Sequence, residues 1–168
     1  MIMSVIAMYL VFAMLAVMWL DITRFIIPNW LVASLLALYP IAVWLSPVTV
    51  DWKMAVVGML MIFAAGYFVF VMKWMGGGDV KLLTVIALWI GFSWELLNFI
   101  FMMSIVGGIF SLILIACRKC APYYLKSAQE KPLPRILQEG APVSYGVAIA
   151  LVFMYWIMTN KVAVISLL

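Results

Sequence analysis

Two aspartates are the residues of this sequence whose type and placement best suit chemistry. Asp21 follows the apolar run 1–20, and Asp79 stands just before the apolar run 82–94. A carboxylate in hydrocarbon is costly unless it meets water, a partner or a proton, so acids at membrane depth are usually functional. Two apposed carboxylates can hydrolyse a peptide bond, because one deprotonates water while the other protonates the departing amine. At a separation of about 3 Å they would share one proton, which leaves one group as base and the other as acid.

Each aspartate by itself also has a simpler interpretation. Asp21 is then a helix-end carboxylate among the lipid headgroups, and Asp79 is the N-cap residue of the helix that follows. The four remaining acids are expected to have structural roles. Asp51 and Glu95 are predicted on the opposite side of the membrane, and Glu130 and Glu139 lie among basic residues in a long loop.

Several other chemistries are excluded by composition. The chain has no histidine, which excludes histidine metal ligands, histidine-assisted nucleophiles and imidazole acid–base catalysis. The two cysteines, Cys117 and Cys120, are too few for a disulfide framework and supply only half of a four-cysteine zinc site. We therefore expect reduced thiols, no metal and no cofactor, and nothing in the sequence supports nucleic-acid binding.

Flexible backbone precedes Asp79. Segment 73–81 reads KWMGGGDVK, and three successive glycines raise the entropic cost of an ordered helix. We expect the chain to turn there, and we expect Gly76 and Gly78 to expose amides and to let an extended substrate strand approach closely. Three interpretations of Lys81 remain open: it holds Asp79 ionised, it contacts substrate, or it extends its amine to the membrane surface.

The elements that must position these residues are membrane helices. The chain is 70% hydrophobic and 10% charged, whereas a soluble domain is about half apolar and about a quarter charged. Its charges cluster between long apolar runs, which predicts an all-α bundle of about six transmembrane helices in a single domain, 1–168. The predicted spans are 1–20, 30–45, 54–72, 82–94, 96–116 and 143–158, the last of which can continue to 168.

The connections between the spans comprise short links and one loop. Links 21–29 and 73–81 carry the two aspartates, and residues 118–142, with four of the seven prolines, predict an irregular loop. Pro40 is tolerated within the second span if neighbouring helices satisfy the freed carbonyl. The first span lacks a basic n-region and a cleavage site, so we expect it to be retained as a helix.

The distribution of basic residues predicts the orientation, because Lys and Arg accumulate on the cytoplasmic side. Eight of the ten basic residues fall in the links after spans one, three and five: Arg24, Lys73, Lys81, Arg118, Lys119, Lys126, Lys131 and Arg135. Only Lys53 and Lys161 fall on the other side. Both termini are therefore expected outside, on the periplasmic side, and both aspartates at the cytoplasmic face.

Two segments resemble a known family of membrane aspartic proteases. Segment 76–83, GGGDVKLL, resembles the GxGD-V-K-L signature of the type IV prepilin peptidases. Segment 21–29, DITRFIIPN, is similar to their other catalytic segment, an aspartate followed by Ile-Pro-Asn. The resemblance implies that Asp21 and Asp79 are catalytic. It also implies that five other residues of the two motifs bind substrate or support the site: Gly76, Gly78, Lys81, Pro28 and Asn29. It also implies a bacterial inner-membrane enzyme that removes a basic leader peptide, usually after glycine.

The length of the chain resembles the short members associated with Flp-type, or tight-adherence, pili. Their larger relatives have an added cytoplasmic segment with paired CxxC motifs and also methylate the new N-terminus. Here Cys117 and Cys120 lie elsewhere, so we expect cleavage of Flp-type prepilins or pseudopilins without methyltransferase activity. The family's Pro-Tyr-Gly element before the last helix is replaced by PVSYG at 142–146. Tyr145 and Gly146 either serve the same role or simply begin a packed membrane helix.

Two alternative functions remain open. A preflagellin-type or presenilin-like protease would share the GxGD motif and differ in substrate. A small transporter or scaffold would use the acids to relay protons or to pair with Arg24 and Lys73. The sequence favours the protease, because a relay usually places its acids in the middle of a span, whereas Asp21 and Asp79 lie at span ends.

Overall fold

The computed structural model describes residues 2–47, 49–125 and 145–159. Within those residues the chain forms six α-helices and no strand, which confirms the predicted all-α fold. The helices are α1 (Ile2–Arg24), α2 (Asn29–Leu45), α3 (Trp52–Val71), α4 (Gly77–Ile90), α5 (Trp94–Leu125) and α6 (Tyr145–Thr159). Pro40 lies inside α2 as expected.

The surface of the bundle is that of an integral membrane protein. Three helical segments are long and apolar enough to cross a bilayer: Val5–Arg24, Trp52–Val71 and Trp94–Cys120. Asn29–Leu45 and Tyr145–Thr159 are apolar but shorter. Large apolar side chains point outward, among them Trp44, 87% exposed, and Trp19, 70% exposed. Such a surface would drive association in water and is stable only against lipid.

Helices α4 and α6 form the interior of the bundle. Helix α4 packs against α2, α3, α5 and α6, and α6 packs against α1, α4 and α5. Along the start of α6 every residue from Gly146 to Ala150 is buried. In α3, by contrast, the buried residues are the small ones, Ala55, Gly58 and Gly66. A Cβ on Gly66 would lie 2.8 Å from Val80 Cγ1, so this glycine allows α3 to approach the helix that carries Asp79.

The start of α4 differs from the prediction. We expected a glycine-rich turn up to residue 81, but α4 begins at Gly77, with Gly76 as an extended N-cap at φ −69° and ψ 146°. The chain turns earlier, at Lys73, whose φ is 60°. There the Trp74 and Lys73 amides donate to the Val69 and Phe70 carbonyls, a Schellman motif that ends α3. Glycine is inexpensive in a first helical turn, where few intrahelical bonds depend on it.

Helix α5 also differs, because it extends to Leu125 instead of ending near 116. Cys117 and Cys120 are therefore exposed free thiols on a helix. Arg118 and Lys119 lie on the same helix and not in a loop. The remainder of the predicted loop, 126–142, and a continuation of the last span beyond 159 lie outside the described residues.

Alternation of helix direction brings four helix ends together. Asp21 lies in the last turn of α1, and α2, α4 and α6 all begin near it. Both aspartates are thus at the same end of the bundle. The orientation of that end relative to the cytoplasm remains a prediction from the positions of the basic residues.

Candidate active site

One cavity contains every residue that the sequence singled out for the site. It has a volume of about 480 Å³ and lies between the end of α1, the link to α2 and the start of α4. Its lining includes the predicted set, Asp21, Pro28, Asn29, Gly76, Gly78, Asp79 and Lys81. Two short segments distant in the sequence therefore meet in space as expected.

Asp21 is held by backbone at the end of α1. Its side chain is 5% exposed, and its Oδ2 accepts a hydrogen bond from the Val147 amide at 3.2 Å. Helix α1 ends when Phe25 takes a left-handed conformation, φ 55°, and its amide donates to the Asp21 carbonyl at 3.0 Å. This αL cap is in a position usually taken by glycine, and residues 26–28, which follow it, line the same cavity as Asp21.

Asp79 lies in the first turn of α4, three residues after the N-cap. Its N-cap interpretation is therefore wrong, because Gly76 is the N-cap residue. Asp79 instead holds the third helical position, from which a capping-box carboxylate faces the N-cap residue, and its Oδ2 lies 3.0 Å from a Cβ built on Gly76. A negative charge at this position is also stabilised by the helix dipole. The side chain is 9% exposed.

The glycines before Asp79 allow close packing around it. A Cβ on Gly76 would lie 3.0 Å from Asp79 Oδ2, and a Cβ on Gly78 would lie 3.3 Å from Ile27 Cβ. Gly78 thus lets the link between α1 and α2 lie directly against α4. The expected use of these glycines by a substrate strand stays a prediction, alongside this packing role.

The two carboxylates face one cavity. Asp21 and Asp79 both line it, and both are buried. Two buried acids in one cavity can place a base and an acid on opposite sides of one water molecule. The structure thus brings together the pair on which the predicted chemistry depends.

Val147 was not identified as a site residue from the sequence, and the role of Gly146 was left open between two interpretations. A Cβ on Gly146 would lie 2.6 Å from Asp21 Oδ2 and 3.0 Å from Ile27 Cδ1. Of the two interpretations of segment 142–146, the structure supports the one that places Gly146 at the site. Tyr145 faces α5 instead, with ring atoms 3.5 Å from a Cβ built on Gly107. The Tyr-Gly pair entering the last helix was the available signal.

Lys81 contacts α2. Its Nζ donates to Asn29 Oδ1 at 3.0 Å, and both side chains are exposed at the cavity. This bond connects the start of α4 to the start of α2, a contact that none of the three interpretations of Lys81 included. With this bond formed, Lys81 lies at the same cavity as the two aspartates.

The other acids were expected to be structural, and Asp51 fits that expectation. Its Oδ1 accepts from the Met54 amide at 3.2 Å and so caps α3 at the far end of the bundle. Glu95 lies in the first turn of α5, whereas Glu130 and Glu139 lie outside the described residues. Among the residues that the structure describes, no group of three or more metal-binding side chains occurs.

Comparison with known families identifies the chain. The model of the type IV leader peptidase family matches residues 8–112, more than half of the 168 residues. The match includes both aspartates and ends before α6. No curated protein and no solved structure was found to be similar. Because this match covers more than half of its residues, the chain belongs to the type IV leader peptidase family.

Proposed function

We propose that this membrane peptidase is an aspartic endopeptidase whose catalytic residues are Asp21 and Asp79. It cleaves the leader peptide of Flp-type prepilins or pseudopilins at the cytoplasmic face of the bacterial inner membrane. The observation that supports this proposal most is that both carboxylates are buried and line one cavity.

The reaction needs one proton on the pair. The ionised carboxylate takes a proton from water, and the water oxygen attacks the scissile carbonyl carbon while the protonated carboxyl hydrogen-bonds to the carbonyl oxygen. The C–N bond then breaks as a proton passes to the departing amine. The products are a leader with a free carboxyl group and a pilin with a free amine, and the pair again holds one proton. Since the two acids titrate together, the roles of base and acid are assigned to the pair and not to one aspartate each.

The position of the cavity suits a substrate that is itself a membrane helix. Asp21 and Asp79 lie at helix ends. A scissile bond just outside the apolar segment of the substrate would therefore lie at the same depth in the membrane as the two aspartates. The basic links of the enzyme are a poor match for a basic leader. We therefore assign leader recognition to the carboxylates and to the backbone around Gly76 and Gly78, and the basic links to membrane topology. No methyltransferase activity is proposed.

Co-expression with an Flp-type prepilin tests this function. Wild-type enzyme is expected to convert the precursor to the shorter mature form, seen as a shift on a gel, whereas Asp21→Asn and Asp79→Asn are not. Asp51→Asn is a matched control, because asparagine also caps a helix and residue 51 lies at the far end of the bundle. Full processing by either site variant would remove that aspartate from catalysis.

A further inference from the structure

The first turn of α6 packs directly against the Asp21 carboxylate. The Val147 amide donates to Asp21 Oδ2 at 3.2 Å, and Gly146 lies so close that a Cβ there would be 2.6 Å from the same oxygen. Resting on the proposed function, we infer that this turn is a positioning element that sets the Asp21 carboxylate for catalysis, and that residue 146 must be glycine for it to do so.

A backbone donor fixes a carboxylate more firmly than a flexible side chain. The amides of residues 146 and 147 cannot rotate without moving α6, and α6 is packed between α1, α4 and α5. Residues Gly146 to Ala150 are all buried, so the helix start has little freedom to shift. Donors built into a packed helix are pre-organised, which is the condition for precise placement of a reacting group.

The absence of a side chain at 146 is what allows this contact. A Cβ there would lie 2.6 Å from Oδ2 and 3.0 Å from Cγ of Asp21, closer than nonbonded atoms approach. Alanine is otherwise the better residue for a helix. Gly146→Ala should therefore move the carboxylate without any intrinsic cost to α6.

A purely structural explanation of Gly146 makes a different prediction. The same Cβ would lie 3.0 Å from Ile27 Cδ1, so glycine could serve only the packing of the link against α6. Ile27→Val removes that Cδ1 atom and relieves this contact, but it leaves the contact with Asp21. The double variant Gly146→Ala with Ile27→Val, compared with Ile27→Val alone, separates the two explanations.

The test uses the purified full chain in lipid and a prepilin substrate. Gly146→Ala should lower kcat about 100-fold with KM nearly unchanged, since a displacement of about 1 Å in an active site has that effect. Ile27→Val should not restore kcat. Gly108→Ala is the matched control, because a Cβ at 108 meets nothing within 4 Å, and it should behave as wild type. Wild-type kcat in Gly146→Ala, or recovery in the double variant, would overturn the inference.

A second readout does not depend on cleavage. Amide hydrogen exchange of the backbone at 145–150 should be faster in Asp21→Ala than in wild type, because the Val147 amide loses its acceptor. Unchanged exchange there would overturn the inference whatever the activity. Conversely, full processing by Asp21→Asn would overturn the proposed function, so the two failures are distinguishable.

Discussion

The Val147 amide donates a hydrogen bond to the Asp21 carboxylate at 3.2 Å, although 126 residues separate them in the chain. This contact joins the end of α1 to the start of α6. Because Asp79, at the start of α4, lines the same cavity as Asp21, three helix ends converge on the pair. The amide donor stabilises the buried Asp21 carboxylate, since a buried carboxylate without partners is costly.

Gly76 should be sensitive to a methyl group although its backbone conformation suits alanine. Its φ of −69° and ψ of 146° are ordinary extended values, but a Cβ would lie 3.0 Å from Asp79 Oδ2. We expect Gly76→Ala to lower kcat about tenfold by shifting the carboxylate, as measured by cleavage of a purified prepilin. In Gly77→Ala the new Cβ meets the Phe70 ring at 3.3 Å, which can move, so that variant should retain most activity. Equal losses in both variants would contradict a specific effect on Asp79.

The bond between Lys81 and Asn29 should act as a unit. A hydrogen bond to a charged group contributes about 1.5–3 kcal/mol when shielded, and exposure at this site reduces that contribution. We expect Lys81→Ala and Asn29→Ala each to raise KM about threefold to tenfold, because either change loosens the contact between α2 and α4 at the cavity mouth. The double variant should be no worse than either single variant, as a double-mutant cycle of KM would show. Strictly additive effects would mean that the two residues act separately.

The contact between α3 and α4 should be important for stability. A Cβ on Gly66 would lie 2.8 Å from Val80 Cγ1, and Val80 is 4% exposed with little room to move. Gly66→Ala should destabilise the bundle by about 1–3 kcal/mol, the usual cost of overpacking. Thermal unfolding in detergent measures the change, with Gly108→Ala as the reference for a glycine in open space. An unaltered melting temperature would show that the two helices separate readily.

Local motifs predicted most of the site, whereas distant backbone groups could not be predicted. Asp21, Pro28 and Asn29 lie in one short segment and Gly76, Asp79 and Lys81 in another, so each set could be recognised from its resemblance to a motif of the prepilin peptidases. The sequence could not show which helix packs over these residues, because a helix that is apolar on all sides does not reveal which side faces the interior.

Helix ends were predicted less well for a related reason. Hydropathy marks where the apolar runs stop, so α5 was expected to end near 116, but a helix continues past the apolar region when its polar residues remain helical. In α4 the glycines suggested a break, yet a left-handed Lys73 had already turned the chain. The donor to Asp21 is the main-chain amide of Val147, which no residue type reveals.

The most direct test of the central claim is the non-additivity of the two aspartates. Residues that act together on one water molecule lose their contribution when either is removed. In purified enzyme with saturating prepilin, Asp21→Asn, Asp79→Asn and the double variant should all fall to the same background kcat while the melting temperature is retained. A double variant much slower than both single variants, or substantial cleavage by one of them, would contradict a shared catalytic pair.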